Sequence, residues 1–330
     1  MSKIKPLIRW ESALACLILL ECILFGIISP GFLNISNLLY SMNDFAYIAL
    51  AAIPMTFVII TGGIDVSVGS IMGLTSIVCG VLWMNGFSVW FAALIAIVAA
   101  ILAGSVNGLL VAYTNVQPLV VTLGGMFLFS GIALVISGGS SASGYEGISG
   151  FPNPFVEIAN GQLLGIPNPL LILILCIFLF GGLLHYTRYG RQVFLVGINI
   201  KAARYSGVHT KWTLMSTYML SSLGGGIGGI ILTSYFSSAR SDLGAEAVLP
   251  VITAVVLGGT SIFGGKGSVL GTAIASIFIG IMQYGLQMAG LSSQHISVVI
   301  GSILIISVCL RDSNWHSILR SKNRHLVLKK

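Results

Sequence analysis

Long apolar runs alternate with short polar segments along nearly the whole chain. A membrane-spanning helix needs about 20 apolar residues, with a range of roughly 17 to 25, and ten runs of about that length can be placed. We therefore expect an all-α, polytopic membrane protein with one membrane domain over residues 1–330. The ten predicted spans are residues 12–29, 45–61, 66–84, 89–113, 119–137, 169–185, 213–236, 248–263, 269–289 and 295–310.

Two pairs of spans are separated only by short glycine-rich segments. Residues 62–66 lie at the junction of the second and third spans, and residues 264–268 lie between the eighth and ninth. Both regions contain a glycine pair followed by a similar sequence, GSIMG in one and GSVLG in the other, which is a faint internal repeat. Each segment is compatible with a turn at the membrane surface or with a re-entrant hairpin.

The composition agrees with a membrane protein. Hydrophobic residues make up 56% of the chain and charged residues 8%, whereas charged residues account for about a quarter of a soluble domain. The 41 glycines suit close packing between membrane helices, because small residues allow their backbones to approach.

The distribution of Lys and Arg predicts the orientation, because cytoplasmic loops retain these residues. With ten spans and both termini in the cytoplasm, Arg240 alone among the 16 Lys and Arg residues lies outside. This arrangement predicts a cytoplasmic loop at 187–212, an external loop at 139–168 and a basic cytoplasmic tail at 311–330. It also explains the net charge of +7 without a nucleic-acid partner, since the basic residues are confined to loops and tails.

The loop at 187–212 carries five basic residues and no carboxylate. Within it, KAARYSG at 201–207 predicts a short helix that ends at glycine. This helix has two interpretations: it docks on another protein, or it lies on anionic membrane lipid. The candidate contact residues are Lys201, Ala202, Ala203, Arg204 and Gly207.

Enzyme motifs are absent from the sequence. A phosphate loop needs Gly, four residues and then Gly-Lys-Ser/Thr, which GGTSIFGGKGS at 258–268 does not provide. The five histidines form no HExxH motif, and the five cysteines form no CxxC pair. We therefore expect no catalysis, metal site or structural disulfide, and no cofactor bound by this chain.

Few ionisable residues fall inside the predicted spans. Glu21 is the clear example, in the middle of the first span, and Asp65 lies at the junction of the second and third. Such residues often mark a transport pathway, but a neutral or hydrogen-bonded carboxyl group is the alternative. Pro54 and Pro250 fall in spans predicted to be short and interrupted, which often line substrate sites; ordinary packing kinks are the alternative. Glu21, Pro54, Asp65 and Pro250 are the candidate pathway residues.

Three blocks of sequence resemble one known family. GGIDVSVGS at 62–70, NGLLVAYTNVQPLVVTLGG at 107–125 and AVVLGGTSIFGGKGSVLGT at 254–272 are similar to permease subunits of bacterial ATP-binding-cassette importers for ribose and other monosaccharides. GYEGISGFP at 144–152 and SYFSSARSDLGAE at 234–246 look closest to the branch that imports autoinducer 2, a small sugar-like signal.

The segment 201–207 resembles the coupling-helix motif of this family, an acidic residue followed by Ala-Ala-x-x-x-Gly. Ala202, Ala203 and Gly207 match it, whereas Lys201 stands where the family has the acid. The resemblance implies that an ATPase subunit engages residues 200–208.

The resemblance also implies an assembly in the bacterial inner membrane. Its other members would be a second permease subunit, two copies of an ATPase subunit that binds the ATP, and a periplasmic solute-binding protein. The alternatives are a permease for ribose or another monosaccharide, a proton-coupled secondary transporter that uses Glu21 or Asp65, and a non-transporting membrane scaffold.

Overall fold

The computed structural model describes residues 10–114, 116–138 and 147–311, and helices dominate this part of the chain. A 3-10 turn at Ala245–Ala247 and a short hairpin of strands β1 (Gln162–Leu163) and β2 (Ile166–Pro167) complete the regular structure. The helices are α1 (Trp10–Ile28), α2 (Ile35–Ile60), α3 (Val68–Met84), α4 (Val89–Tyr113), α5 (Pro118–Ile136), α6 (Asn153–Asn160), α7 (Asn168–Tyr186), α8 (Arg188–Ile198), α9 (Ile200–Tyr205), α10 (Thr210–Phe236), α11 (Val248–Leu257), α12 (Val269–Met288) and α13 (Ser293–Arg311).

Helix lengths agree with a chain that crosses the membrane many times. In the described part of the chain, seven helices are long and apolar enough to span a bilayer: α1, α2, α4, α5, α7, α10 and α12. Three shorter apolar helical segments, formed by α3, by residues 245–257 and by α13, coincide with the remaining predicted spans. The all-α, polytopic class is therefore confirmed.

Some predicted boundaries were wrong. Helix α2 begins ten residues earlier than predicted, because the Asn34 side chain caps it by accepting a hydrogen bond from the Ser36 N–H at 2.9 Å. Helix α11 ends at Leu257, six residues before the predicted end. The predicted cytoplasmic loop contains α8 and α9, and the predicted external loop contains α6 and the hairpin.

The prediction that Pro54 interrupts a short span was also wrong. Helix α2 is 26 residues long and continues through Pro54 without a break. The proline packs against Gly224 of α10, where an added Cβ would lie 2.7 Å from the proline Cγ. Predictions for residues 1–9, 139–146 and 312–330 lie outside the described residues.

Helix α10 lies at the centre of the fold and packs against α2, α3 and α4. Small residues make these contacts close: a Cβ added to Gly104 of α4 would overlap the Ser222 hydroxyl and lie 2.6 Å from the Tyr218 carbonyl oxygen. The glycines of these helices therefore act as expected for packing between membrane helices.

The molecule has two distinct ends. The basic end holds α8, α9 and the two glycine-rich turns, and the start of α1 lies there too, because the Trp10 indole donates to the Leu257 carbonyl at 2.7 Å. The hairpin end holds α6, β1 and β2, and there the ring of Trp83 stacks on Phe151. The last turns of α13 line a cavity together with Trp10 and Gly258. Both ends of the described chain therefore lie at the basic end.

One crossing is only partly helical. After α10, the chain turns back into the protein along α3, where the Arg240 N–H donates to the Ser76 hydroxyl at 3.1 Å and a Cβ on Gly73 would overlap the Ser241 carbonyl oxygen. Helix α11 then has only ten residues, about 15 Å, against a hydrocarbon core about 30 Å thick. It is a half-helix that starts inside the protein.

We predict that Gly104→Val destabilises the fold, because the added side chain has no space between α4 and α10. Overpacking of this kind costs about 1–3 kcal/mol, so the apparent melting temperature of the purified chain in detergent should fall. Gly131→Val is the matched control, since nothing lies within 4 Å of a Cβ at that position. Equal melting temperatures for the two variants would contradict the packing described.

Candidate functional site

Helix α9 is the predicted short helix, and the structure confirms its glycine end. It begins where the Asn199 side chain accepts hydrogen bonds from the Lys201 and Ala202 N–H groups, both at 3.0 Å. It ends where the Gly207 N–H donates to the Arg204 carbonyl and the Val208 N–H donates to the Ala203 carbonyl, each at 3.1 Å. These are the two bonds of a Schellman motif, and Gly207 has the left-handed φ of +81° that it requires.

The outer face of α9 is exposed and basic. Lys201, Ala202, Arg204 and Gly207 are exposed, whereas Ala203 is only 2% exposed and anchors the helix. Tyr205, which the sequence did not single out, is 92% exposed. Four of the five predicted contact residues are therefore accessible, and their contact with a partner remains a prediction.

Helix α8 carries α9 and meets both glycine-rich turns at one point. The Gly265 N–H donates to the Ile60 carbonyl at 2.8 Å. A Cβ on Gly197, near the end of α8, would overlap that same carbonyl oxygen and lie 2.7 Å from the Gly265 nitrogen. We call this meeting point of Ile60, Gly197 and Gly265 the glycine junction.

The two glycine-rich turns lie at different depths relative to the surface of the basic end. Phe263, in the turn between α11 and α12, is 79% exposed at the basic end, so this turn lies at the surface. In the other turn Gly62 is exposed, but Asp65 is 0% exposed. The segment that follows Gly62 therefore runs inward, and α3 begins below the surface.

Asp65 joins this inward segment to its neighbours. Its carboxylate accepts hydrogen bonds from the Ser67 N–H at 3.0 Å, the Ser67 hydroxyl at 2.6 Å and the Ser221 hydroxyl of α10 at 2.8 Å. The Asn107 amide of α4 donates in turn to the Ser67 hydroxyl at 2.8 Å. The turn is thus fastened to α4 and α10.

No basic side chain pairs with Asp65 among the described residues, where Arg240 and Asp242 form the one ion pair. A buried carboxyl group that accepts three hydrogen bonds can fasten helices together without an ion pair.

Glu21 lies apart from this network on α1, which packs against α12. Its side chain is 5% exposed, and its Oε2 atom has no hydrogen-bond partner among the described residues. Glu21 is therefore buried against its neighbours, and its role remains a prediction.

A cavity of about 490 Å³ opens near the hairpin end, between α2, α11, α12 and α13. Of the four candidate pathway residues, Pro250 alone lines it. Its polar lining was not predicted from the sequence: Asp44, Tyr47, Glu246, Gln283, Tyr284, Gln287, Ser293 and Ser297.

The spacing of polar residues along two helices was the one sign of this cavity in the sequence. Gln283 and Gln287, like Ser293 and Ser297, are four residues apart in apolar helices, and so share a face. Which faces meet depends on tertiary packing. In the part of the chain that the structure describes, no group of three or more His, Cys, Asp or Glu side chains is arranged to hold a metal ion.

Comparison with known proteins gave one family and several relatives. Residues 37–308 match the family described as branched-chain amino acid transport system / permease component. The autoinducer 2 import system permease protein LsrD of Yersinia enterocolitica is 48% identical over 318 residues, which cover 96% of this chain and 94% of the relative. LsrD proteins of Escherichia coli K12 and Shigella flexneri are 46% identical over 307 residues, 93% of each chain. No solved structure matches.

Gly197→Val is predicted to separate α8 from the glycine junction, because a side chain there overlaps the Ile60 carbonyl oxygen. Proteolysis requires local opening, so trypsin should cut faster between Arg188 and Lys211 in inverted membrane vesicles. Gly182→Val in α7, where nothing lies within 4 Å of a Cβ, is the control. If both variants are cut at the wild-type rate, α8 does not depend on this contact.

Proposed function

The chain belongs to the family of branched-chain amino acid transport system permease components, and from that premise we propose that it is the membrane-spanning permease of an ATP-binding-cassette importer for autoinducer 2. The observation that carries the proposal is the exposed α9 helix, supported by α8 on the glycine junction. A partner that pushes on α9 would act directly on the ends of α2 and α12.

The ATPase partner would dock on the outer face of α9. Ala202 offers a small side chain that permits close approach, and Lys201 and Arg204 offer positive charge. Since the segment 187–212 contains no carboxylate, it suits an acidic partner surface. ATP is bound by that partner, and this chain needs no cofactor of its own.

Two helices, α2 and α12, connect the glycine junction with the cavity. Asp44, in the cavity wall, precedes Ile60 by 16 residues of the continuous helix α2, which is about 24 Å. Helix α12 likewise runs from the turn that contains Gly265 to Gln283 and Gln287. Displacement of the glycine junction would therefore tilt two cavity walls, and a solute bound differently by the two states would be carried across.

The relatives support the choice of solute. The family description refers to branched-chain amino acids, whereas the relatives that cover nearly the whole chain are named for autoinducer 2 import. We therefore favour a small sugar-like solute; ribose or another monosaccharide is the alternative within the same function. Uptake driven by a pH gradient in vesicles without any ATPase would instead support a proton-coupled carrier.

The assembly would also contain a second permease subunit, two ATPase subunits and a periplasmic solute-binding protein in the inner membrane. The basic end would face the cytoplasm, with ten crossings and both termini inside, because Lys and Arg concentrate at that end. The solute-binding protein would then approach the hairpin end.

Ala202→Trp should weaken binding of the ATPase, because a large side chain on the exposed face of α9 blocks close approach. We expect at least about tenfold less ATPase to co-purify, equivalent to ~1.4 kcal/mol, with unchanged expression and melting temperature. Gly207 is a poorer test position, since its φ of +81° makes any substitution strained.

Ala289→Trp is the control for this experiment, because Ala289 is an exposed alanine directly after α12, near the hairpin end. It should co-purify with the ATPase as wild type does. Unchanged co-purification of Ala202→Trp would argue against docking on α9 and would favour a helix that only meets lipid.

The orientation predicts opposite labelling at the two ends. In intact cells, a membrane-impermeant maleimide should label Ser149→Cys, at an exposed position of the hairpin end. Ser206→Cys, at the end of α9, should react only after the membrane is permeabilised. Labelling of Ser206→Cys in intact cells would reverse the orientation.

A further inference from the structure

The cavity near the hairpin end carries groups that match the hydroxyls of a sugar-like molecule. The carboxylates of Asp44 and Glu246 accept hydrogen bonds, and the amides of Gln283 and Gln287 both donate and accept them. These four side chains come from three separate segments and line the same cavity. A volume of about 490 Å³ lies within the range of roughly 300–1,000 Å³ that is usual for small-molecule sites.

Aromatic side chains add apolar surface to this polar lining. Tyr47 and Tyr284 are half-buried in the cavity wall, and Tyr284 is held by stacking on Phe32, with ring centroids 5.6 Å apart. A cyclic polyol has C–H faces as well as hydroxyl edges. A flat aromatic ring can contact the C–H faces, while the neighbouring amides and carboxylates bind the hydroxyl edges.

The charge of the lining discriminates between solutes. Asp44 and Glu246 are acidic, and none of the 18 described residues that line the cavity is Lys, Arg or His. The positive end of α11, which a negatively charged solute would seek, already has Glu246 beside it. An anion such as a sugar phosphate would therefore be repelled, whereas a neutral polyol would not.

The cavity reaches the surface of the chain near the hairpin end. Ser293 and Ser297 on its rim are exposed. Towards the basic end, α2 and α11 close together through fully buried apolar residues, including Met55, Val251 and Val255. This layer of packed apolar residues would block a solute that entered from the hairpin end.

We propose that this cavity, between α2, α11, α12 and α13, is the binding chamber for a neutral, polyhydroxylated solute, and that it faces the hairpin end in this structure. The proposal rests on the proposed import function. Gln283 and Gln287 hold the solute hydroxyls, the two tyrosines contact its ring, and Asp44 and Glu246 exclude anions.

The first test compares two Gln→Leu variants in the importer assembled with its co-expressed ATPase, second permease and solute-binding protein. Gln283→Leu keeps much of the side-chain size and removes the amide. The uptake rate of labelled autoinducer 2 at saturating concentration should fall about tenfold, equivalent to ~1.4 kcal/mol. ATPase co-purification should be retained. Gln294→Leu, at an exposed position of α13 outside the cavity, should transport as wild type does.

The outcomes separate this proposal from the proposed function. Wild-type uptake by Gln283→Leu would overturn the chamber and leave the importer intact. If the wild-type assembly hydrolyses ATP but takes up neither autoinducer 2 nor D-ribose, the proposed function fails, and the chamber fails with it. If Gln283→Leu fails to co-purify with the ATPase, the second test decides.

The second test uses Ser297→Cys and protection from an impermeant maleimide in the assembled importer. D-ribose or autoinducer 2 should slow labelling at position 297, whereas D-ribose 5-phosphate at the same concentration should not. Asn85→Cys, at an exposed position of the same end outside the cavity, should be labelled at one rate throughout. Equal labelling of Ser297→Cys with all three solutes, or protection by the phosphate, would overturn the proposal.

Discussion

A single backbone carbonyl, that of Ile60, joins the parts of this molecule that its function requires. It accepts a hydrogen bond from Gly265, and α8 approaches it so closely at Gly197 that a side chain has no space. Because the contact involves backbone on all three segments, it cannot be relieved by a change of rotamer. The surface element formed by α8 and α9 is therefore held directly against the ends of α2 and the turn before α12.

Asp65 provides the complementary constraint on the other side of α2. Burying a carboxyl group is unfavourable unless it is hydrogen-bonded, and here Ser67 and Ser221 supply three donors. This makes α2, α3, α4 and α10 a connected unit through polar bonds as well as through close glycine packing. Helix α12 is tied to this unit by the buried hydrogen bond between the Thr56 and Thr272 hydroxyls, whose oxygens are 2.9 Å apart, and the cavity lies between α2 and helices α11, α12 and α13. A push at α9 would thus reach the cavity through α2 and α12, which form two of its walls.

The sequence predicts much of the fold, because hydropathy measures how favourably a segment enters lipid. It identified a helix at each of the ten spans and the glycine end of α9, which depends on local backbone chemistry alone.

The sequence does not encode in the same way how deeply a segment lies within the protein. The span at 248–263 was predicted to be short and interrupted, and α11 has only ten residues, but the return of the chain through the protein interior before α11 was not predicted. Pro54 was read as an interruption, but α2 continues through it because neighbouring α10 has a glycine opposite. The polar cavity was missed for a third reason: its residues come from distant segments, and only packing brings their faces together.

We propose that ATP, bound by the partner that docks on α9, changes the cavity at the opposite end. Spin labels at Ala245 and Ser297, both exposed residues that line the cavity, would report its width by pulsed electron paramagnetic resonance. The measurement requires the full assembly in proteoliposomes, with the five native cysteines replaced. We expect a shorter distance between the labels when ATP is trapped with vanadate than without nucleotide. The same distance distribution in both states, in an assembly that hydrolyses ATP, would contradict it.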